Sequence, residues 1–273
     1  CITSCIRCSI VLSINGCGLS VSSQSSVYVV AVSIFTLYLP ELTAQINISM
    51  LTMTQYNVPP LFLKDGLDSI PSESFRTAIN NPTGNFFYDP WVIADEFKDT
   101  VWERIYNTLP VQDKGEARLI KLEPGECYPS HADIDDRYHL NLSGNNCFLI
   151  NLDTEKLTPL NFDGIWWEMN AGSVHTAANF GNKIRFQLVI RKLLNRIELQ
   201  EPVDISITIP KNVDQEDCRY IFDQTISPWL NNANKMYLIQ DFQYTPRKVN
   251  FKTSKESLDD LKKIIPPEFE LDA

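Results

Sequence analysis

Residues 130–142 read SHADIDDRYHLNL. Taken as an extended segment, this stretch puts His131, Asp133, Asp135, Arg137, His139 and Asn141 at alternate positions, with Ala132, Ile134, Tyr138, Leu140 and Leu142 between them. Side chains of a strand alternate between its two faces, so an uninterrupted strand would carry the whole polar set on one side. A solvated polar stripe is the plain explanation of such a pattern. Two histidines and an arginine among three small polar groups favour a face that lines a ligand cavity. His131 and Asp133, two residues apart, can chelate a single cation.

The same period of two extends over 115–195. Turn signals interrupt it at Pro124-Gly125, Ser143-Gly144, Asp163-Gly164, Ala171-Gly172 and Gly181-Asn182. Many short strands at such spacing predict an all-β sandwich or barrel. A second polar constellation lies in Asn170-Ala171-Gly172-Ser173-Val174-His175, followed by Asn179 and Arg185. Phe180-Gly181-Asn182 reads as a hairpin turn joining a strand with His175 to one with Arg185. In that second strand Ile184, Phe186, Leu188 and Ile190 alternate with Arg185, Gln187, Val189 and Arg191, so the apolar set packs against another layer and Arg185 points inward. An inward arginine displaced from a metal ligand suits a dicarboxylate that chelates the metal at one end and takes a forked guanidinium contact at the other. Trp166 and Trp167 cannot both face inward, so one belongs to the core. Asn170 and Asn179 are placed either to orient His175 through hydrogen bonds or to shape turns.

Flanking segments read more coarsely. Residues 54–88, rich in Pro, Asn and Ser, predict an extended lead-in. Asp89-Pro90 looks like a helix start, and Ile93, Phe97, Val101 and Ile105 recur at helical spacing, predicting a helix over 90–108. Beyond Arg196 the pattern predicts a strand over 203–209, a helix over 217–231, strands over 237–244 and 247–252, and a last helix over 257–265. This α+β appendage contains no histidine.

Residues 1–52 hold two charged residues, Arg7 and Glu41, and four of the seven cysteines, Cys1, Cys5, Cys8 and Cys17. They read as an upstream or leader segment dispensable to a protein that works from about Met53. The apolar run 27–39 is too short to span a bilayer; with Leu42-Thr43-Ala44 near a cleavage point it suits a signal peptide, but the one basic residue before it, Arg7, lies twenty residues upstream. The spacing of Cys1, Cys5 and Cys8 superficially matches an iron–sulfur cluster loop, but nothing downstream has the alternating strand–helix order such a loop requires. Cys127, Cys147 and Cys218 read as buried free thiols in a reducing, cytoplasmic setting. A net charge of −10 at pH 7 argues against a nucleic-acid partner. No apolar run of about 20 residues is present for a membrane span.

Two imidazoles and one carboxylate are the ligand set of the facial triad in non-haem iron oxygenases. In detail, H-A-D at 131–133, R-Y-H-L-N-L at 137–142, N-A-G-S-V-H at 170–175 with Ala177 and Asn179, and R-F-Q-L-V at 185–189 resemble the Fe(II)/2-oxoglutarate oxygenases of the aspartyl/asparaginyl β-hydroxylase and proline-hydroxylase branch. The resemblance covers roughly 115–192. It implies a mainly β fold, a double-stranded β-helix (jelly-roll, cupin-like) with flanking helices, over a 53–195 oxygenase domain, followed by the 196–273 appendage. It also implies that His131, Asp133 and His175 hold Fe(II), that Arg185 clamps the far carboxylate of 2-oxoglutarate, and that Arg137 and His139 help to hold this cosubstrate. O2 is the oxidant, and ascorbate an aid in vitro. The substrate class it implies is an amino acid, a peptide or an aspartyl, asparaginyl or prolyl residue. Some members of the branch lack the carboxylate ligand, which is present here as Asp133. The competing reading is a cupin-like metal-binding protein, an isomerase or small-molecule binding module, which would need no Arg185. A zinc hydrolase would need a general-base glutamate at a recognisable spacing, and none is present.

Overall fold

The computed structural model describes residues 49–70, 76–210, 213–245, 247–265 and 269–272. The cluster-like cysteines and the 27–39 run therefore lie outside the described residues. From Met50 onward the chain forms one compact unit.

Strand β1 (Leu51–Asn57) leads into helix α1 (Pro60–Asp68), then the short strands β2 (Arg76–Ala78), β3 (Asn80–Pro82) and β4 (Trp91–Ile93), and helix α2 (Val101–Asn107). The β-rich centre follows: β5 (Lys114–Leu122), β6 (Arg137–Ser143), β7 (Cys147–Asn151), β8 (Lys156–Pro159), β9 (Ile165–Met169), β10 (His175–Asn179) and β11 (Arg185–Lys192). The C-terminal part contains β12 (Pro202–Thr208), helix α3 (Gln215–Ile221), a π-helical turn (Phe222–Ile226), helix α4 (Ser227–Lys235), β13 (Ile239–Thr245), β14 (Lys248–Ser254), helix α5 (Leu258–Ile264) and β15 (Glu270–Asp272).

Six strands form an antiparallel sheet in the order β1-β9-β6-β11-β5-β2, and three form another in the order β10-β7-β8. Segment 127–131 lies along the free side of β10 through bridges Cys127–Ala178 and His131–His175. Strand pairs in register share a face. On the large sheet, Tyr138, Leu140, Leu142, Trp166, Leu188, Ile190 and Leu119 therefore lie together and are buried against α1 and α2, with Val101, Trp102 and Ile105 in the same cluster. Gly66 permits this packing, because a Cβ there would lie 2.9 Å from the Ile105 side chain. The opposite face carries Arg137, His139, Asn141, Arg185, Gln187 and Arg191, together with Trp167 and Met169. Met169, Leu51 and Trp167 of the large sheet meet Leu149 and Ala177 of the small one in a single apolar cluster. The two inner faces thus close on each other, with polar side chains between them.

The fourth-quarter elements pack as a four-stranded sheet, β13-β14-β12-β15, covered by the helices. Their core includes Phe87, Tyr88 and Ile134, the last lying between two of the acidic positions of the 130–142 stretch.

Several expectations are corrected. The 54–88 lead-in contains β1, α1 and two short strands. The 90–108 helix shrinks to α2, capped by the Thr100 hydroxyl accepting from Trp102 N–H. Trp91–Ile93 pairs instead with Asn80–Pro82, and Asp89 accepts from the Asn85 backbone and pairs with Arg196. Phe180-Gly181-Asn182 is not a hairpin, since β10 pairs with β7 while β11 pairs with β5 and β6. The turn carries the chain from one sheet to the other and is pinned to the β6–β7 turn, where Asn145 Oδ1 accepts from the backbone of Asn182 and Lys183. A Cβ on Gly181 would lie 1.9 Å from Asn145 O, so only glycine fits there. Cys147 and Cys218 are free and buried as expected, whereas Cys127 is disulfide-bonded.

Residues 50–52, placed by the sequence in the leader, belong to the large sheet. Met50 and Leu51 are buried, Leu51 pairs with Met169, and Met50 O accepts from Asn170 N. Shortening the chain to begin at Met53 is expected to cost about 3 kcal/mol relative to a chain beginning at Met50, from the loss of two buried side chains. Urea denaturation of the two measures it; equal midpoints would show that these residues contribute nothing to the sheet.

Candidate metal centre

His131 and His175 face each other across an antiparallel bridge closed by two backbone bonds, His131 N to His175 O at 2.9 Å and His175 N to His131 O at 2.8 Å. Residues directly opposite project to the same side, and the ring centroids stand 4.6 Å apart at 50°. Each ring has Nδ1 2.8 Å from the carbonyl two residues earlier, Pro129 O for His131 and Ser173 O for His175. A carbonyl only accepts, so each Nδ1 carries its hydrogen, and Nε2 is the nitrogen left to coordinate a metal. Asp133 is set by its backbone N–H donating to Ala171 O at 2.8 Å. The ligand atoms of His131, Asp133 and His175 all lie within 4.8 Å of one another, with His175 Nε2 4.0 Å from Asp133 Oδ2.

Charge states suit a cation. Burial, helped by the nearby His131, pushes His175 down to about 4, so it is neutral at pH 7. Burial alone would raise Asp133, but Arg137 and the two histidines outweigh it and hold the carboxyl well below its usual range. The arrangement offers two imidazoles and one carboxylate, a donor set for a divalent metal ion.

Behind Asp133 runs a buried chain of alternating charge. Arg137 donates from Nε to Asp133 Oδ2 at 3.2 Å and pairs through Nη2 with Asp133 Oδ1 at 2.7 Å, a forked contact. Its Nη1 binds Asp135, which in turn accepts from Arg191 Nε at 2.6 Å. The Arg191 guanidinium lies over the rings of Phe86 and Phe87 at 4.4 and 4.8 Å. All three nitrogens of Arg137 are thus engaged by carboxylates of its own loop.

Arg185 is in the opposite condition. It is 1 % exposed; Nη2 donates to Gln187 Oε1 at 3.1 Å and the Tyr128 hydroxyl also bonds to the guanidinium, while Nε and Nη1 have no acceptor among the described residues. Tyr128 lies beneath the guanidinium, 5.4 Å from ring centroid to Cζ. His139 Nε2, Trp167 Nε1 and Arg118 Nε are likewise buried without a partner. All four residues belong to the inner face of the large sheet. His139 is pushed down to about 3 by burial and by the charges of Arg185 and Arg137, so it too is neutral.

The polar stripe is broken rather than continuous. Arg137, His139 and Asn141 share a face of β6, but 132–136 is irregular and His131 belongs to the edge of the small sheet. Trp166 is the core tryptophan, fully buried with Nε1 donating to Thr108 Oγ1 at 2.9 Å, and Trp167 faces inward. Neither asparagine orients His175. Asn179 donates to Leu122 O and Lys183 O and accepts from Gly181 N–H, shaping the sheet-to-sheet turn, while Asn170 accepts from Lys235. The sequence reading missed Asp135 and Arg191 as the far half of the charge chain. It also missed Arg118, which the alternation of Glu116, Arg118 and Ile120 would have placed.

No protein-family model matches the chain, and no curated protein is similar to it at a significant level. Among solved structures, it is similar to AviO1 from Streptomyces viridochromogenes Tue57 with a TM-score of 0.35 and 12 % identity, over 53 % of this chain and 89 % of that one. A likeness that distant decides nothing about the site.

Replacing His131, Asp133 or His175 singly with alanine is expected to weaken Fe(II) binding by about 100-fold or more, since two fixed donors remain where three stood. Anaerobic Fe(II) titration of each folded variant measures it. Unchanged affinity in any of the three removes that residue from the centre.

Proposed function

We propose that the chain is an Fe(II)- and 2-oxoglutarate-dependent hydroxylase on a double-stranded β-helix, acting on an amino acid, a peptide or an aspartyl, asparaginyl or prolyl residue. The observation that carries this reading is Arg185, a buried guanidinium with two unengaged nitrogens on the wall that faces the His131–Asp133–His175 centre. Burying a charge with no opposite charge beside it is costly, and such a site suits a ligand of opposite charge. The two facing antiparallel sheets, six-stranded and three-stranded, support the jelly-roll reading.

The residues present fit both groups. His131, Asp133 and His175 would hold the iron, the histidines through Nε2, and the far carboxylate of 2-oxoglutarate would complete Arg185. Iron with 2-oxoglutarate and O2 supplies the oxidising chemistry for a C–H bond. Arg137 keeps Asp133 ionised and fixes its two oxygens. Neutral His139, with Nε2 unengaged, offers a second polar contact to the cosubstrate without adding charge. Trp167, Met169, Leu149 and Ala177 form one apolar cluster between the two sheets, which would shield the reacting groups from water. Arg137, engaged by Asp133 and Asp135, acts as a brace for the metal ligand in this reading rather than as an anion clamp.

Arg185→Met is expected to weaken 2-oxoglutarate binding by about 10- to 150-fold, the range for a hydrogen bond to a charged group, with Fe(II) affinity retained. Arg185→Lys should recover part of the loss, because an ammonium lacks the planar fork. Calorimetric titration of the Fe(II)-loaded protein without oxygen measures both. Equal 2-oxoglutarate affinity in all three proteins contradicts the reading and returns the centre to a plain metal-binding module.

A further inference from the structure

The C-terminal elements bring to the ligand loop a carboxylate that neither the ligand set nor the charge chain uses. Asp223 lies in the π-helical turn between α3 and α4. Its backbone carbonyl accepts from Ala132 N–H at 2.9 Å, midway between His131 and Asp133. The next side chain, Gln224, donates from Nε2 to Ser130 O at 2.7 Å and Ser130 Oγ at 3.2 Å. On the other side, Phe222 is buried and stacked on Tyr244 with centroids 4.9 Å apart. The turn is therefore fixed through Asp223 and Gln224 to the loop that carries two metal ligands, and through Phe222 to the C-terminal core. An i to i+5 turn displaces a side chain from the ordinary helical direction, and such turns concentrate at functional sites.

The Asp223 carboxylate lies within electrostatic reach of His131 and Asp133 and is partly exposed, with 23 % of the side chain accessible. Its ion-pair partner is Arg219 Nε at 3.4 Å, on a side chain that is 78 % exposed. A single contact of that kind, solvated and one turn away on the same helix, contributes little. Burial raises its pKa, with Arg219 only partly opposing it. Arg137 is committed to Asp133 and Asp135, and a metal ion would answer Asp133. Asp223 remains open to a cation from outside.

We infer that Asp223, beside the loop that carries His131 and Asp133, forms a subsite for a positively charged amine of the substrate. This rests on the hydroxylase reading for the reaction that follows, but the amine contact itself needs no metal. The substrate class is thereby narrowed to molecules that present an ammonium group, either a free amino acid or a peptide with a free amine near the carbon that reacts.

The test is calorimetric binding to the full chain of the twenty free amino acids and a set of short peptides with free amines. Each is compared with its acetylated counterpart, in which the amine is neutral, both with Fe(II) and 2-oxoglutarate in the absence of oxygen and without either. At least one amine is expected to bind, with acetylation weakening it by about 10-fold or more, the scale of a hydrogen bond to a charged group. Asp223→Asn should weaken the same amine to a similar extent and leave its acetylated form unaffected; Asp223→Glu, which keeps the charge, should restore part of the affinity. The inference is overturned if no amine binds, if acetylated and free forms bind alike, or if Asp223→Asn binds the amine as the wild type does. Asp223-dependent amine binding by a protein that takes up neither Fe(II) nor 2-oxoglutarate would sink the hydroxylase reading and leave the subsite standing. Uptake of both without such amine binding would do the reverse.

Discussion

Asp133, Arg137, Asp135 and Arg191 form an alternating chain of charge in which Arg137 and Asp135 each touch two groups of opposite sign. Asp135, Arg137 and Arg191 are nearly inaccessible to water. Breaking such a chain by removing one member strands a buried charge at a cost of about 3–5 kcal/mol. The chain therefore commits the irregular segment 132–136 to one path, with Asp133 turned toward the histidines and Asp135 turned toward β11. The cation–π contacts of Arg191 with Phe86 and Phe87 extend the same constraint into the C-terminal core.

That constraint explains how a candidate metal centre arises from two sheets. His131 and His175 meet on the edge of the small sheet, Arg137 and His139 on the inner face of the large one, and Asp133 lies on the crossing between them. The C-terminal elements hold the crossing from the outside through Ile134, the Ala132–Asp223 backbone bond, and the pairing of Lys235 with Asp136 at 2.9 Å. They also share one core with Phe87 and Tyr88, so the appendage works as a brace for the ligand loop.

What could be read from the residues follows from period and chemistry. Alternation along 185–191 correctly turned Arg185 inward, because apolar Phe186, Leu188 and Ile190 had to meet a second layer. The spacing of His131, Asp133 and His175 brought together three groups that the fold does bring together. The break after His131 was hidden, since alternation cannot register a segment that leaves one sheet and joins another. The false hairpin at 180–182 has the same origin: a turn signal shows where the chain reverses, not which strand it meets next. The long helix over 90–108 failed because pairing of Trp91–Ile93 with Asn80–Pro82 outcompeted local helical spacing. Asp223 carried no local signal at all, lying some 90 residues from the loop it contacts.

The central claim is that this centre holds a metal ion and a chelating keto acid side by side. The most direct measurement is the visible absorption of the protein without oxygen, first with Fe(II) alone, then with 2-oxoglutarate, and separately with succinate. The account predicts a weak charge-transfer band that saturates at one 2-oxoglutarate per chain and does not appear with succinate, which has the two carboxylates but no keto group. A folded protein that takes up Fe(II) yet develops no band with 2-oxoglutarate would contradict it.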